Sequence, residues 1–188
     1  MKSIFPLLLL LPGLLAGQNG PKILGQKSPP MRLAPSVHTP PSVVDRMLEA
    51  ANLKPGETLY DLGSGDGRVL IAAAQKFGAK AVGIEISKTS VDSTSKRIRE
   101  LKLDDKVRVI EGDIMAVELS GADVVTLYLL TKSNDMLRPL LEKQLKPGAR
   151  VVSHDYAIPG WTPSRVETVT ALKRDHQLYV YEFPLPKR

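Results

Sequence analysis

Short apolar runs alternate along this chain with longer stretches in which apolar residues recur every three or four positions. Thr58 to Leu62, Val82 to Glu85, Val107 to Asp113, Asp123 to Leu129 and Ala149 to His154 read as strands. Val69 to Phe77, Ser90 to Leu101 and Ser133 to Gln144 read as helices between them. Asp123 to Leu129 is almost continuously apolar, as a strand buried on both faces in the middle of a parallel sheet would be. Ahead of the first strand, Val44, Met47, Leu48 and Ala51 share a helical face, and Ser42-Val43-Val44-Asp45 fits a capping box. Leu53-Lys54-Pro55-Gly56 and Leu145-Lys146-Pro147-Gly148 each suit a type II turn into a strand. Arg165 to Leu172 and Gln177 to Phe183 alternate apolar and polar residues, which predicts a closing hairpin. The pattern is α/β: a doubly wound, seven-stranded sheet, mostly parallel, with an antiparallel closing strand.

The first strand runs into Tyr60-Asp61-Leu62-Gly63-Ser64-Gly65-Asp66-Gly67-Arg68, and the second stops at Glu85. Strand, glycine turn, helix, strand, acid is the opening unit of a Rossmann-like sheet. In a dinucleotide site such a turn faces a pyrophosphate held by helix amides. Asp61 and Asp66 flank the turn here and would repel one, and the glycine spacing is G-x-G-x-G. A ligand carrying an ammonium and a sulfonium fits these acids, and S-adenosylmethionine (SAM) has both, together with a ribose diol and an adenine amine. The third run ends at Asp113, so acids stand at the carboxyl ends of three strands, where open α/β sheets bind ligands. An NAD-binding protein is the weaker alternative.

From about Thr39 to Pro184 the chain resembles the class I SAM-dependent methyltransferases. That resemblance implies that Asp61, Gly63, Ser64, Gly65, Asp66 and Gly67 hold the methionine part of SAM. It implies also that Glu85 accepts the ribose hydroxyls, and that Asp113 accepts the adenine amine with Ile114 beside it. Four segments are similar to one subgroup: Thr39-Pro40-Pro41-Ser42-Val43-Val44, the glycine turn, Val125-Thr126-Leu127-Tyr128-Leu129-Leu130 and Arg150-Val151-Val152-Ser153-His154-Asp155. The subgroup contains the protein-lysine methyltransferases acting on ATP synthase subunit c and the adenine nucleotide translocator, with bacterial relatives. Many members have proline after Tyr-Leu-Leu; here Thr131 stands there. The resemblance implies a protein-lysine acceptor. A small-molecule N- or O-methyltransferase and a SAM-binding sensor or scaffold without turnover are the alternatives.

With 188 residues, 43% of them apolar, the chain can bury one proper core, and a monomer is expected. It has no cysteine, so disulfides, thiolate metal sites and cysteine nucleophiles are excluded. His38, His154 and His176 show no metal-ligand spacing, and no metal is expected. The net charge of +6 has its densest cluster at Lys96, Arg97, Arg99, Lys102, Lys106 and Arg108, which reads as a solvated helix face. Aromatic residues are only 5% and are not interleaved with basic ones, so sequence-specific nucleic-acid binding is not expected. Lys2 precedes an apolar run from Ile4 to Leu15 that is too short and too broken by Pro6, Pro12 and Gly13 to span a bilayer. Residues 1–17 therefore read as a secretory signal peptide or short membrane-targeting segment, and export or membrane association is expected. Residues 18–41 read as a Pro-rich linker, and residues 42–188 as the catalytic domain. A membrane protein is among the acceptors this arrangement would suit.

Methyl transfer needs the acceptor placed in line behind the methyl group. A lysine amine, with an ordinary pKa of about 10.4, must also lose a proton first. The candidates that would orient or deprotonate it stand where the fourth and fifth strands end: Tyr128 foremost, then His154 as a general base and Asp155, with Tyr156 and Trp161 nearby.

Overall fold

The computed structural model describes residues 22–24 and 37–185. The expected export segment, residues 1–17, lies outside them. One sheet has the strand order β3-β2-β1-β4-β5-β7-β6. Its strands are β1 (Thr58–Leu62), β2 (Lys80–Glu85), β3 (Val107–Glu111), β4 (Val124–Leu127), β5 (Arg150–His154), β6 (Arg165–Ala171) and β7 (Arg174–Glu182). The first five pair in parallel, and β7 runs antiparallel to both β5 and β6. The order reverses between β1 and β4, which opens a crevice at the carboxyl ends of those strands.

Helices α1 (Pro41–Ala50), α2 (Arg68–Phe77) and α3 (Lys88–Glu100) cover one face, and α4 (Thr131–Gln144) with a 3-10 turn at Ile114–Ala116 covers the other. Leu59, Val124 and Val152 feed the first core, while Tyr60, Val125 and Val151 feed the second. Neighbouring residues of one strand thus enter opposite cores, which is why the central runs are apolar without alternation. The Pro-Gly turns form as the sequence indicates: Gly56 and Gly148 have φ of 82° and 83°, and Glu57 and Ala149 N–H donate to the Lys54 and Lys146 carbonyls at 3.2 and 3.1 Å.

Three local features differ from expectation. Helix α1 begins at Pro41 after Pro40 with no side-chain cap, so the capping box at Ser42 does not form. Proline has no N–H to satisfy and a helical φ already set, which favours it as the first helical residue. Strand β4 ends at Leu127, and Tyr128 to Leu130 leave the sheet before α4 starts at Thr131. Residue 131 is therefore itself a first helical position, where proline and threonine are both accommodated. Strand β3 ends at Glu111 instead of reaching Asp113, because Asp113 caps the 3-10 turn. The expected closing hairpin forms, through a turn with both Leu172 (φ 49°) and Lys173 (φ 63°) left-handed.

Candidate active site

The crevice is an open cleft of about 1010 Å³, lined at one end by the glycine turn and at the other by Tyr128. Asp61 sits in β1 opposite Gly83 of β2 and Thr126 of β4, and its Oδ1 accepts the Thr126 hydroxyl at 2.7 Å. Burial pushes the Asp61 carboxyl up to about 7 against the pull of the Thr126 bond, with Glu85 and Asp66 adding repulsion. A buried carboxylate at a cleft wall, with anions for neighbours, is a receptor for a cation.

The glycine turn is wound tightly above it. Gly63, Gly65 and Gly67 have φ of 87°, 52° and 72°, and the Gly63 and Ser64 N–H groups donate to the Ile84 carbonyl. A side chain at 67 would also run into Thr94, and one at 83 into Ser64 and Leu70. Ser64 is buried beside the cleft with no hydrogen-bond partner for its hydroxyl among the described residues. Glu85 pins the turn to β2, its two oxygens accepting the Gly65 and Ser87 N–H at 2.9 and 2.8 Å. Asp113 accepts the Met115 N–H at 2.8 Å, and both acids line the cleft along with Ile114. Glu85 thus lines the cleft while bracing the glycine turn, and Asp113 lines it while capping the 3-10 turn.

Asp66 also lines the cleft, but it is already paired. Arg68 grips both of its oxygens, with contacts of 2.6 to 3.1 Å. Burial alone would raise the Asp66 carboxyl, but the Arg68 bonds outweigh it and hold the group below its ordinary range. Its charge is already matched within the protein. Arg68 also donates to the Thr39 carbonyl at 2.7 Å, which ties the glycine turn to the segment entering α1. Sequence reasoning passed over Arg68, although an arginine two residues after an acid in a tight turn is a local counter-ion signal.

Within the Pro-rich stretch, Ile23 forms an antiparallel bridge with Val117, and Glu118 N–H donates to the Lys22 carbonyl at 3.0 Å. The Ile23 side chain lies against Gly112 on the cleft wall. No periodicity at 18–41 signalled this contact, because a single bridge leaves no repeat.

At the far end of the cleft, β5 stops at His154 and turns sharply. Asp155 is left-handed (φ 61°), a conformation aspartate tolerates, and its N–H donates to the Gln177 carbonyl at 2.7 Å. The Gln177 N–H returns to Asp155 Oδ1 at 3.1 Å. The buried Asn134 amide holds the Tyr156 carbonyl at 3.0 Å and Ser153 Oγ at 3.2 Å. The turn so fixed aims Asp155 Oδ2 at Tyr128, whose phenol donates to it at 3.1 Å. Burial raises the Asp155 carboxyl, but the Arg174 bond, His154 and further hydrogen bonds together keep it below its ordinary value. Burial and the Asp155 bond raise the Tyr128 phenol, so it remains protonated.

His154 is fully buried behind Tyr128, with ring centroids 3.9 Å apart, and does not line the cleft. Its Nδ1 meets Thr39 Oγ1 at 3.2 Å and its Nε2 meets His176 Nδ1 at 2.8 Å. Burial pushes it down to about 4, so it is neutral and engaged at both nitrogens. Where the sequence leads to the expectation of a general base, the structure places a neutral imidazole packed behind Tyr128 with both nitrogens engaged. His176 was missed in the sequence, though it is a polar residue in the inward register of β7 with Leu178 and Val180. Donor atoms of His154, Asp155 and His176 lie within 4.8 Å of one another. Asp155 Oδ2 is already held by the Arg174 guanidinium, whose charge opposes a metal dication at the same oxygen. Trp161 is not at the cleft: its indole donates to Glu142 at 2.8 Å and packs edge-on to Tyr181 and Phe183 under α4. The basic cluster gathers at the end of α3 that points to the amino edge of the sheet, opposite the cleft.

Comparison with known proteins agrees with this geometry. A protein-lysine N-methyltransferase of Saccharolobus islandicus is 44% identical over 148 residues, covering 78% of this chain and 92% of that one. The adenine nucleotide translocase lysine N-methyltransferase of Mus musculus is 31% identical over 143 residues, covering 76% of this chain and 62% of that longer protein. A crystal structure titled as an RNA methyltransferase from Salinibacter ruber, in complex with S-adenosyl-L-homocysteine, superposes with a TM-score of 0.74 at 45% identity, covering 81% of this chain and 98% of that one. The profile of the ANTKMT methyltransferase domain matches residues 61–165, from the buried acid of β1 to the start of β6. The chain belongs to the ANTKMT methyltransferase domain family and is a SAM-dependent methyltransferase.

Proposed function

We propose that this methyltransferase acts on the side-chain amine of protein lysine. The observation that carries the reading is the Tyr128–Asp155 pair: Tyr128 lines the cleft, and its neutral phenol is bonded to an ionised carboxylate behind it. A carboxylate and a phenol oxygen are what an incoming ammonium group would be drawn to and oriented by. The names borne by the archaeal and mouse relatives support the same acceptor class.

In this reading Asp61, with Gly63, Ser64, Gly65 and Gly67, holds the amino-acid part of SAM, and Asp61 takes its ammonium. Glu85 takes the ribose hydroxyls, and Asp113 and Ile114 the adenine. The residues fit the group: Asp61 is a buried anion in need of a cation, and the Ser64 hydroxyl lacks a partner within the protein. Bound SAM supplies a methyl group on a sulfonium whose departure as a neutral thioether requires no oxyanion hole.

The protein's own part is to position and desolvate the acceptor. Asp155 is too acidic and His154 too deeply buried to retain a proton near neutrality. The ammonium proton therefore passes to water before transfer, and the Tyr128 phenol keeps the neutral amine in place. The freed lone pair then forms the N–C bond as the C–S bond breaks.

Labelled SAM incubated with the protein and separate soluble-protein, membrane-protein and RNA fractions tests this. Label recovered as methyl-lysine after hydrolysis is the expected result. Label confined to RNA or to small molecules would replace the lysine reading.

A further inference from the structure

Strand β7 starts at Arg174, yet the residue that pairs with the end of β5 is Leu178. The β6–β7 hairpin therefore overruns the carboxyl edge of the sheet on the side where the cleft opens. Its two-residue turn has both φ angles positive, the geometry that follows the natural strand twist. Leu172 at the tip is 82% exposed.

From this overhang Arg174 reaches back to the cleft wall. Its Nη2 lies 2.6 Å from Asp155 Oδ2 and 3.2 Å from the Tyr128 hydroxyl. The Arg174 side chain is 51% exposed, while that of Asp155 is 12% exposed. A flexible rim cation thus sits on the carboxylate and phenol that receive the acceptor in the proposed function. Two cations at one carboxylate oxygen repel strongly in a partly buried site.

The turn does not need Arg174 to keep its shape. Asp155 is fixed through its N–H and Oδ1 by Gln177, and the following carbonyls by Asn134. A half-exposed ion pair contributes little to stability. The charge of Asp155 is what Arg174 serves.

We propose that Arg174 is a displaceable stand-in for the acceptor ammonium. It occupies the cation position on Asp155 and Tyr128 while the acceptor site is empty, and leaves into solvent when a lysine enters. Arg174 thereby sets how strongly an acceptor must bind to gain the site, and excludes weak cationic acceptors. This rests on the lysine reading of the same site.

The test uses full-length protein with S-adenosyl-L-homocysteine present, and Nα-acetyl-lysine methylamide as the probe, followed by calorimetry. Arg174→Ala and Arg174→Gln are expected to bind the probe about tenfold more tightly than the unaltered protein, the scale of one charged hydrogen bond no longer displaced. Their melting temperatures and S-adenosyl-L-homocysteine affinity should stay unchanged. With a lysine peptide, KM should fall and kcat should hold. Adding Asp155→Asn to either variant should abolish the gain. Probe binding that is absent, unchanged or weaker in the variants overturns the stand-in role, as does a loss of kcat. Tighter probe binding without methyl transfer to any lysine would leave the cation exchange standing and remove the lysine reading. Methyl-lysine formation by the unaltered protein, with no tightening in the variants, would do the reverse.

Discussion

Thr39 Oγ1 lies 3.2 Å from His154 Nδ1, joining the segment that leads into α1 to the residue that ends β5. The Thr39 carbonyl meanwhile accepts from Arg68 in the glycine turn. One buried threonine therefore links the cofactor end of the cleft to the wall that carries Tyr128. Thr39→Val keeps the shape and removes the hydroxyl, and should cost about 1 kcal/mol through the lost buried bond. Because His154 stacks on Tyr128, turnover should fall while SAM affinity, which depends on the other end, stays nearly constant. Thr39→Ser should restore both. Thermal melts and the separate kcat and Kd values check this; equal loss in kcat and SAM affinity would show that Thr39 acts only through the fold.

Asp61 couples stability, pH and cofactor. Its folded-state carboxyl is raised from 3.8 to about 7. A raised pKa means that this group's stabilising contribution is complete below about pH 4 and is lost as pH rises through 7. Asp61→Asn keeps the acceptor for Thr126 and has no charge to bury. Relative to the unaltered protein without ligand, the variant should gain stability steadily from pH 4 to 7, by up to about 4 kcal/mol. It should lose SAM binding at the same time. In the unaltered protein, SAM affinity should rise about tenfold per pH unit toward 7 as Asp61 ionises, then decline above about pH 8 as the ligand amine deprotonates. Melting curves and calorimetry across that range decide it, and a flat difference between variant and unaltered protein would mean that Asp61 is not the titrating group.

Much of this arrangement was legible in the sequence because it rests on local rules. The succession of strands and helices needs only the alternation of apolar runs and helical stretches, and the cofactor acids follow from their place at strand ends. The type II turns needed only Pro-Gly. What stayed hidden depends on residues distant in the chain meeting through the sheet. The neutral state of His154 comes from burial among Thr39, Tyr128 and His176, which lie on three well-separated segments of the chain. Trp161 looked like a cleft residue by its closeness in sequence to Asp155, but its side chain turns under α4 to satisfy its indole N–H on Glu142. Asp66 looked available because its counter-ion, Arg68, stands in the sequence only as the last residue of the glycine-turn segment.

Proton release sets the pH dependence of turnover. Burial lowers His154 to about 4, and Asp155 is held below its ordinary range, so neither titrates between pH 6 and 9. At low acceptor concentration and saturating SAM, the rate should climb about tenfold per pH unit from 7 toward 9, following the neutral fraction of the lysine amine. Tyr128→Phe should lower the rate about tenfold at every pH, because an orienting hydrogen bond is gone, and should leave SAM affinity unchanged. A break in the profile between pH 6 and 7 that His154→Gln abolishes would return His154 to the role of general base.

The N-terminal stretch separates into two tests. We propose that residues 2–17 direct the chain to the membrane or to export; deleting them should leave SAM binding intact. Deletion of residues 2–24 removes also the Ile23 bridge to Val117 and the side chain that covers Gly112. Gly112 and Ile114 line the cleft on either side of Asp113, the adenine end in the proposed function. The longer deletion should therefore weaken SAM several-fold, through lost apolar cover worth roughly 1 kcal/mol, while the sheet still melts cooperatively. Ile23→Ala in the full chain should reproduce part of that loss, which separates the side chain's contribution from that of the backbone bridge. Calorimetry on the four proteins, with fractionation of the full-length form, reads both effects. Equal SAM affinity in all four would show that Lys22–Leu24 rests on the domain without serving the cofactor.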